Sequence, residues 1–164
     1  MFHMDMGGPQ ITCSTPNLFS EIDLFKMGSF FYLAIGQGDT WNFGLYELPI
    51  PNHPSQHAFI YAFEVMDPDN QDPRYNGKNY CLITIVTPKS LREHLPHPFQ
   101  LETRIREFLI PHYKLEDFHD PFILHELLNA TFKDKKWNTS TLKRIFSQTN
   151  TLRLESISRP NSAS

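Results

Sequence analysis

Histidine is the residue type that most invites a chemical role, because eight are present and five of them lie between residues 94 and 125. His94 and His97 are three residues apart, but the prolines at positions 96 and 98 predict a loop rather than one helical face. Residues 125–129 read H-E-L-L-N, which begins like the zinc motif H-E-x-x-H. Asn129 occupies the place of the second histidine, and the sequence therefore predicts no metal site.

A second arrangement places His119 directly before Asp120, as in the dyad of metal-dependent phosphohydrolases. That chemistry needs further histidine and aspartate ligands from neighbouring helices, whereas Asp120 before a proline is also a good helix N-cap. A small hydrolase that uses the region between His94 and His125 remains an alternative function. It would require His112, His119 and His125 to converge on one cavity with a carboxylate.

The other candidates for catalysis are two cysteines and one glycine-rich turn. Cys81 lies in an apolar strand pattern, where a thiol is normally inert core, and Cys13 lies in a polar N-terminal stretch. Gly36-Gln37-Gly38 lacks the third glycine and the following helix of a dinucleotide-binding loop, and it predicts a hairpin turn. We predict free thiols, no catalytic residue, no metal ligand and no cofactor.

The charge of the chain is divided unevenly. Residues 1–132 hold 8 of the 15 Lys and Arg and 16 of the 18 Asp and Glu, so that they carry a net charge of −8, while residues 133–164 carry +5. Such an asymmetry favours contact of the basic segment with an acidic surface, either of this protein or of a partner. The candidate partner-binding residues are Lys133, Lys135, Lys136, Trp137, Lys143 and Arg144.

Nucleic-acid binding through this basic segment is a further alternative. Three helices in series with Lys143 and Arg144 on the last one are compatible with a helix-turn-helix. The acidic remainder of the chain and the sequence pI of about 6.2 argue against it. The alternative would be favoured if Lys136, Lys143, Arg144 and Arg153 shared one face.

The first half of the chain predicts one helix and a hairpin after a flexible lead-in at residues 1–16. Apolar positions within residues 17–27 indicate a short helix, which Gly28 would end as a C-cap. Residues 29–35 are almost wholly apolar, as in a strand that is covered on both faces. With the turn at Gly36 and the alternating run 42–48, they predict a β-hairpin.

The rest of the chain predicts two strands followed by helices. Residues 57–66 and 79–87 are rich in aromatic and β-branched side chains, and the second run should be central in the sheet. Helical spacing of apolar residues follows in 99–109, 121–132 and 138–149. Residues 155–164 are small and polar and predict a disordered tail.

These elements predict an α+β fold: a four-stranded, largely antiparallel sheet packed with helices, three of them C-terminal, in a single domain of residues 17–154. No apolar run approaches the roughly 18 residues that span a bilayer, and the N-terminus does not read as a signal peptide. We therefore expect a soluble protein of the cytosol, or of a host cytosol if it is delivered there.

The expected function is a non-enzymatic protein-interaction module, an adaptor or a subunit of a larger complex. No catalytic set is complete, the charge is polarised, and 22 aromatic rings (14 Phe, 6 Tyr and 2 Trp) are available for the core and for contact surfaces.

Overall fold

The computed structural model describes residues 1–5, 7–14, 19–36 and 41–131, apart from the side chains of residues 93 and 94. They form an α+β fold with one five-stranded antiparallel sheet in the order β2-β1-β5-β4-β3. The strands are β1 (Phe2–Asp5), β2 (Gly8–Ile11), β3 (Gly44–Pro49), β4 (Gln56–Met66) and β5 (Lys78–Pro88). The α-helices are α1 (Glu21–Ile35), α2 (Pro98–Leu109) and α3 (Pro121–Thr131).

The predicted strand at residues 79–87 is confirmed as the central one. β5 pairs with β4 over eleven residues, from Gln56↔Pro88 to Met66↔Lys78, and with β1 through Phe2↔Leu82. Because helices cover both faces of the sheet, β5 must be apolar on both sides, which explains its almost continuous run of β-branched and apolar residues. The predicted strand at 57–66 is likewise confirmed as β4.

A helix is present where residues 17–27 predicted one, but the prediction for its end and for a strand at 29–35 was wrong. Gly28 does not end a helix, and residues 29–35 do not form a strand, because α1 runs without a break from Glu21 to Ile35. Gly28 is needed for a close approach instead: a Cβ at this position would lie 2.9 Å from Cδ1 of Phe2. Gly36 therefore follows a helix rather than a strand, and the hairpin expected between residues 29 and 48 does not form.

The expectation of a flexible lead-in also needs correction. Residues 2–5 and 8–11 pair as a short antiparallel hairpin, with Phe2 opposite Ile11 and Asp5 opposite Gly8. Gly8 has a φ of 110°, which only glycine adopts readily, and it allows the tight connection. The sheet was predicted to have four strands. The strand at 29–35 is absent and β1 and β2 are added, so that the sheet has five strands.

Two apolar cores lie on the two faces of the sheet. On one face α1 packs against small residues of β4, Ala58 and Ala62, which let the helix come close. On the other face α2 and α3 pack against the large rings of Phe59, Tyr61 and Phe63. The α1 core consists of Phe2, Leu24, Met27, Phe31, Tyr32, Ile35, Ile50, Ala58, Ile60, Ala62 and Leu82. The α2–α3 core consists of Met1, Cys13, Phe59, Tyr61, Phe63, Val65, Cys81, Ile83, Ile85, Leu101, Ile105, Phe118, Ile123 and Leu127.

The helices predicted at 99–109 and 121–132 are present as α2 and α3, after a 3₁₀ helix at Lys89–His94. Arg104 of α2 donates a hydrogen bond to the carbonyl oxygen of Thr131 at 2.6 Å, so that α3 ends beside α2. The helix predicted at 138–149 and the tail at 155–164 lie outside the described residues. Within the part that is described, no helix is both long and apolar enough to cross a membrane.

Candidate interaction surface

α1 is a well-capped helix whose ends are fixed by its own residues. The Ser20 hydroxyl accepts a hydrogen bond from the amide of Asp23 at 3.1 Å and donates one to the Asp23 carboxylate at 2.8 Å. The amide of Gly36 closes the last turn by donating to the carbonyl of Tyr32 at 2.8 Å. The two ends of α1 are therefore fixed by hydrogen bonds between residues of the helix and its caps.

The rotation of α1 about its axis is fixed by its inner side. Tyr32 donates its hydroxyl to the carbonyl oxygen of Tyr80 at 2.7 Å, and its ring centroid lies 5.1 Å from that of Trp41. Burial raises the pKa of this phenol well above its ordinary value. Phe31 is completely buried against the sheet. The side of α1 that points away from the sheet is therefore defined.

That side is mostly apolar, with one cation. Ile22, Phe25 and Leu33 remain 67%, 52% and 75% exposed, and with Ser29 they follow the spacing i, i+3, i+7, i+11. This spacing places the four residues on one face of a helix, which we call the outer face of α1. Lys26 is exposed beside them, one turn after Ile22. Large apolar side chains that are exposed together on one surface mark candidate contact sites. The outer face of α1 is therefore the candidate functional surface.

α2 has the outer surface expected of a helix in water. Leu101 and Ile105 point into the core, while Arg106 forms an ion pair with Glu102 at 2.9 Å. Phe99 at the start of this side and Ile110 at its end are 74% and 75% exposed, with Thr103 and Arg106 between them. The two exposed apolar side chains of α2 are thus separated by polar residues, whereas those of α1 are distributed along the helix.

A second group of exposed apolar side chains lies at the end of β4. The amide of Met66 donates to the carbonyl of Tyr113 at 2.7 Å, and both side chains are exposed, as is that of Ile110. These residues belong to a strand end and to the connection after α2. They form no continuous stripe on one element, and we give them less weight than the outer face of α1.

An open cavity of about 420 Å³ lies at the turn between β4 and β5. Asn79 at its side accepts a hydrogen bond from the amide of Met4 and donates one to the carboxylate of Asp67, both at 3.0 Å. Burial lowers the pKa of His3, against the attraction of Asp5 and Asp67. The lining residues are His3, Asp5, Gly7, Asp67, Asp69, Asn70, Gln71 and Asn79. In the described ranges, no group of three or more His, Cys, Asp or Glu residues could hold a metal ion.

A buried histidine connects β4 to the edge strand β3. His57 is 5% exposed, and its Nδ1 lies 3.3 Å from Oε1 of Glu47. Arg92 donates to the other oxygen of Glu47 at 2.7 Å. Burial lowers the pKa of His57, and Glu47 opposes this effect only in part. Among the described residues, the buried Nε2 has no hydrogen-bond partner, so that protonation would leave an N–H without an acceptor.

The histidines singled out from the sequence have separate local contacts. Nδ1 of His97 accepts from the amide of Phe99 at 3.4 Å at the start of α2. The ring centroid of His112 lies 4.9 Å from that of Phe108. His125 packs beside an aromatic ring of its own helix. These contacts differ from one histidine to the next, and the hydrolase alternative stays a hypothesis.

Two further residues from the sequence analysis have clear structural roles. Asp120 caps α3, because its Oδ1 accepts a hydrogen bond from the amide of Phe122 at 2.9 Å. Cys13 and Cys81 are free and buried, and burial raises the pKa of both thiols. A raised pKa keeps a thiol protonated and unreactive.

The partner-binding residues expected from the charge pattern lie outside the described residues. These are Lys133, Lys135, Lys136, Trp137, Lys143 and Arg144. The same holds for Arg153, and the nucleic-acid alternative therefore stays a hypothesis. The outer face of α1, in contrast, was missed from the sequence because the helix was divided at Gly28. Reading residues 21–35 as one helix would have placed Ile22, Phe25 and Leu33 on one side.

Comparisons with known proteins identify no relative. No protein-family model matches the chain, and no curated protein or solved structure is significantly similar to it. Any functional conclusion rests on the residues themselves.

Proposed function

We propose that this protein is a non-enzymatic protein-interaction module, an adaptor or a subunit of a larger complex, and that it docks its partner on the outer face of α1. The observation that carries the proposal is the line of Ile22, Phe25 and Leu33, three large apolar side chains that are more than half exposed on one helix. Apolar side chains clustered on a surface mark sites of protein association.

These side chains do not contribute to the fold in the way that the inner side of α1 does. The helix is already capped at both ends, and Phe31 and Tyr32 hold it on the sheet. Exposure of the outer face to water is unfavourable by about 25 cal/mol for each Å² that a partner could cover.

The partner expected at this site presents an apolar surface with charged groups of both signs at its rim. Glu21 and Asp23 lie in the first turn of α1, next to Ile22, and the exposed Lys26 follows Phe25. Charges at the rim of an apolar contact increase the association rate and the specificity more than the affinity. We therefore expect the affinity to depend on the apolar residues and only the rate to depend on salt.

The test uses two matched double variants of the full chain. Phe25→Gln with Leu33→Gln removes apolar side chains from the outer face of α1, and Phe99→Gln with Ile110→Gln removes side chains on α2 that are at least as exposed. Each tagged protein is used for affinity purification from its native cells, and the recovered proteins are quantified by mass spectrometry.

The α1 variant should lose at least about 90% of a stoichiometric partner, since two contact residues worth over 1 kcal/mol each change the affinity more than tenfold. The control variant should retain the partner, and both should melt within a few degrees of the wild type. Retention of every partner by the α1 variant would refute the proposal, as would an equal loss in the control.

A further inference from the structure

We propose that Asn76 is a site of spontaneous covalent modification, at which the side-chain amide is lost through attack by the backbone nitrogen of Gly77. The two residues lie in the connection between β4 and β5 and not in α1, so that the inference does not depend on the proposed function. The product is an aspartate or an isoaspartate at position 76.

The Asn76-Gly77 pair forms a tight turn directly before β5. Both residues have a positive φ, 49° and 71°, and the amide of Lys78 donates a hydrogen bond to the carbonyl oxygen of Tyr75 at 3.0 Å. Two consecutive residues with positive φ, closed by such a bond, form a type I′ turn, for which Asn-Gly is a preferred sequence. The turn therefore explains why a glycine follows Asn76.

Both reacting groups of this turn are accessible. The side chain of Asn76 is exposed, and within the part of the chain that the structure describes its amide has no hydrogen-bond partner. The backbone nitrogen of Gly77 has none among the same residues either, although the carbonyl oxygen of Gly77 accepts from the amide of Asp67 at 2.9 Å. A Cβ placed on Gly77 would meet no atom within 4 Å, so that the space beside this peptide bond is open.

The reaction needs water as its only co-reactant. The nitrogen of Gly77 attacks Cγ of Asn76, its proton leaves with the side-chain nitrogen as ammonia, and a cyclic imide closes. Water then opens the imide at one of its two carbonyl carbons. Opening at Cγ gives aspartate, and opening at the main-chain carbonyl carbon gives isoaspartate, in which the backbone runs through the former side chain. A glycine after the asparagine favours ring closure, because it has no side chain to hinder the attack.

Asn52 is the closest comparison within the chain. It is also exposed and has a φ of 62°. His53 follows it, however, and the amide of His53 donates a hydrogen bond to the carbonyl oxygen of Ile50 at 3.1 Å. At Asn52 the attacking nitrogen is thus held in a hydrogen bond and carries a large side chain beside it, and we expect the ring to close slowly.

Asn70 and Asn79 are protected by their own contacts. The Asn70 amide donates to the carbonyl oxygen of Lys78 at 2.8 Å and accepts from the amide of Asp72 at 3.0 Å. Asn79 is buried, and both ends of its amide are hydrogen-bonded. In the whole sequence, glycine follows no asparagine other than Asn76. The sequence and the local contacts therefore select the same residue.

The modification would change the loop that lines the open cavity. Isoaspartate adds a methylene group to the backbone between residues 76 and 77, so that the hydrogen bond from the amide of Asp67 to the carbonyl oxygen of Gly77 can no longer form with the same geometry. The Asp67 carboxylate accepts from Asn79 at the side of the cavity. Either product also adds a negative charge to a loop that already contains Asp67 and Asp69.

Peptide mapping of the aged full chain tests the inference. The protein is incubated in buffer well below its melting temperature, and the conversion of each asparagine to an acid is followed by digestion and mass spectrometry. Isoaspartate is labelled in parallel with protein isoaspartyl methyltransferase. Asn52, Asn70 and Asn79 serve as internal controls. Asn76→Gln is the matched variant, because it keeps an amide in the same turn but requires a larger ring.

Asn76 should convert at least about tenfold faster than each internal control, because the free nitrogen and the adjacent glycine lower the barrier to ring closure. Conversion should be faster at pH 8.5 than at pH 7.5, since the attacking nitrogen must lose its proton. Asn76→Gln should remove most of the isoaspartate label. Conversion at Asn76 no faster than at Asn52 would overturn the inference, as would a label that persists in Asn76→Gln.

Discussion

α1 and α2 pack on opposite faces of the same sheet, yet their outer sides differ. On α2, Thr103 and the ion pair of Arg106 with Glu102 lie between the exposed Phe99 and Ile110. α1 exposes Ile22, Phe25 and Leu33 along its length, with the cation of Lys26 among them, although its inner side already fills the α1 core. The comparison shows that burying the inner side of a helix does not decide how apolar side chains are distributed on its outer side.

The largest effect that we predict separates the two sides of α1. Phe31→Ala should cost about 3–5 kcal/mol, because Phe31 is completely buried and its removal leaves a cavity. Phe25→Ala on the outer face should cost at least about 2 kcal/mol less, since half of this ring is already in water. Urea denaturation of both variants measures the difference. Similar losses would mean that Phe25 belongs to the core, and the comparison of α1 with α2 would fail.

A second substitution tests whether the α2–α3 core is packed as tightly as the α1 core. Ile85 lies on central β5 and is 7% exposed within the α2–α3 core. Ile85→Ala should therefore reduce the free energy of unfolding by about 2–5 kcal/mol in chemical denaturation. A loss below about 1 kcal/mol would show that this face is loosely packed and that α2 and α3 are held weakly.

The pH dependence of stability should come in part from the rim of the α2–α3 core. The pKa of His57 is lower in the folded state than the unfolded value of about 6.5, because burial outweighs Glu47. The folded state thus prefers the neutral imidazole. Its contribution to stability is complete above pH 6.5 and is lost as the pH falls through the lower, folded pKa.

Denaturation midpoints at pH 7.5 and pH 5 measure this effect. The decrease between the two values should be smaller in His57→Gln than in the wild type. His3 has a lowered pKa for the same reason, so that His3→Gln should remove a further part. An unchanged decrease in the two variants would show that neither histidine is coupled to folding.

The smallest effect is expected at the C-terminus. Ending the chain after Leu154 should change the melting temperature by less than about 2 °C, because residues 155–164 include one long apolar side chain, Ile157, and cannot offset their ordering entropy. Calorimetry of the shortened chain gives the answer. A larger decrease would show that these residues contribute to the stability of the folded part.

The sequence predicts β4, β5, α2 and α3 because each has a pattern with one physical interpretation. Helical spacing of Leu101 and Ile105 indicates a helix with one buried side, and Asp120-Pro121 followed by apolar residues at helical spacing indicates a helix start. α1 could not be identified in this way. A continuous apolar run such as 29–35 suits a buried strand and a helix equally, and the tertiary contact of Gly28 with Phe2 decides between them.

The same ambiguity explains why the candidate surface was missed. The β1–β2 hairpin is short and contains glycine and proline, which locally favour a loop, and only its pairing with β5 makes it part of the sheet. Phe2 of β1 is the side chain that approaches Gly28 most closely. Only an unbroken α1 brings Ile22, Phe25 and Leu33 to one side of a helix. Long-range contacts therefore had to be known before the surface could be recognised.

Pro9 in β2 has a consequence for how copies of this protein behave at high concentration. The amide of Met4, the residue opposite Pro9, donates to Asn79 and so points away from β2. The nitrogen of Pro9 therefore faces the open edge of the sheet, where it offers no hydrogen to an incoming strand. β2 has only four residues, and one of them lacks a backbone N–H donor. It is therefore a poor template for the addition of a strand from another copy, and this edge is less prone to aggregation than a long edge strand without proline.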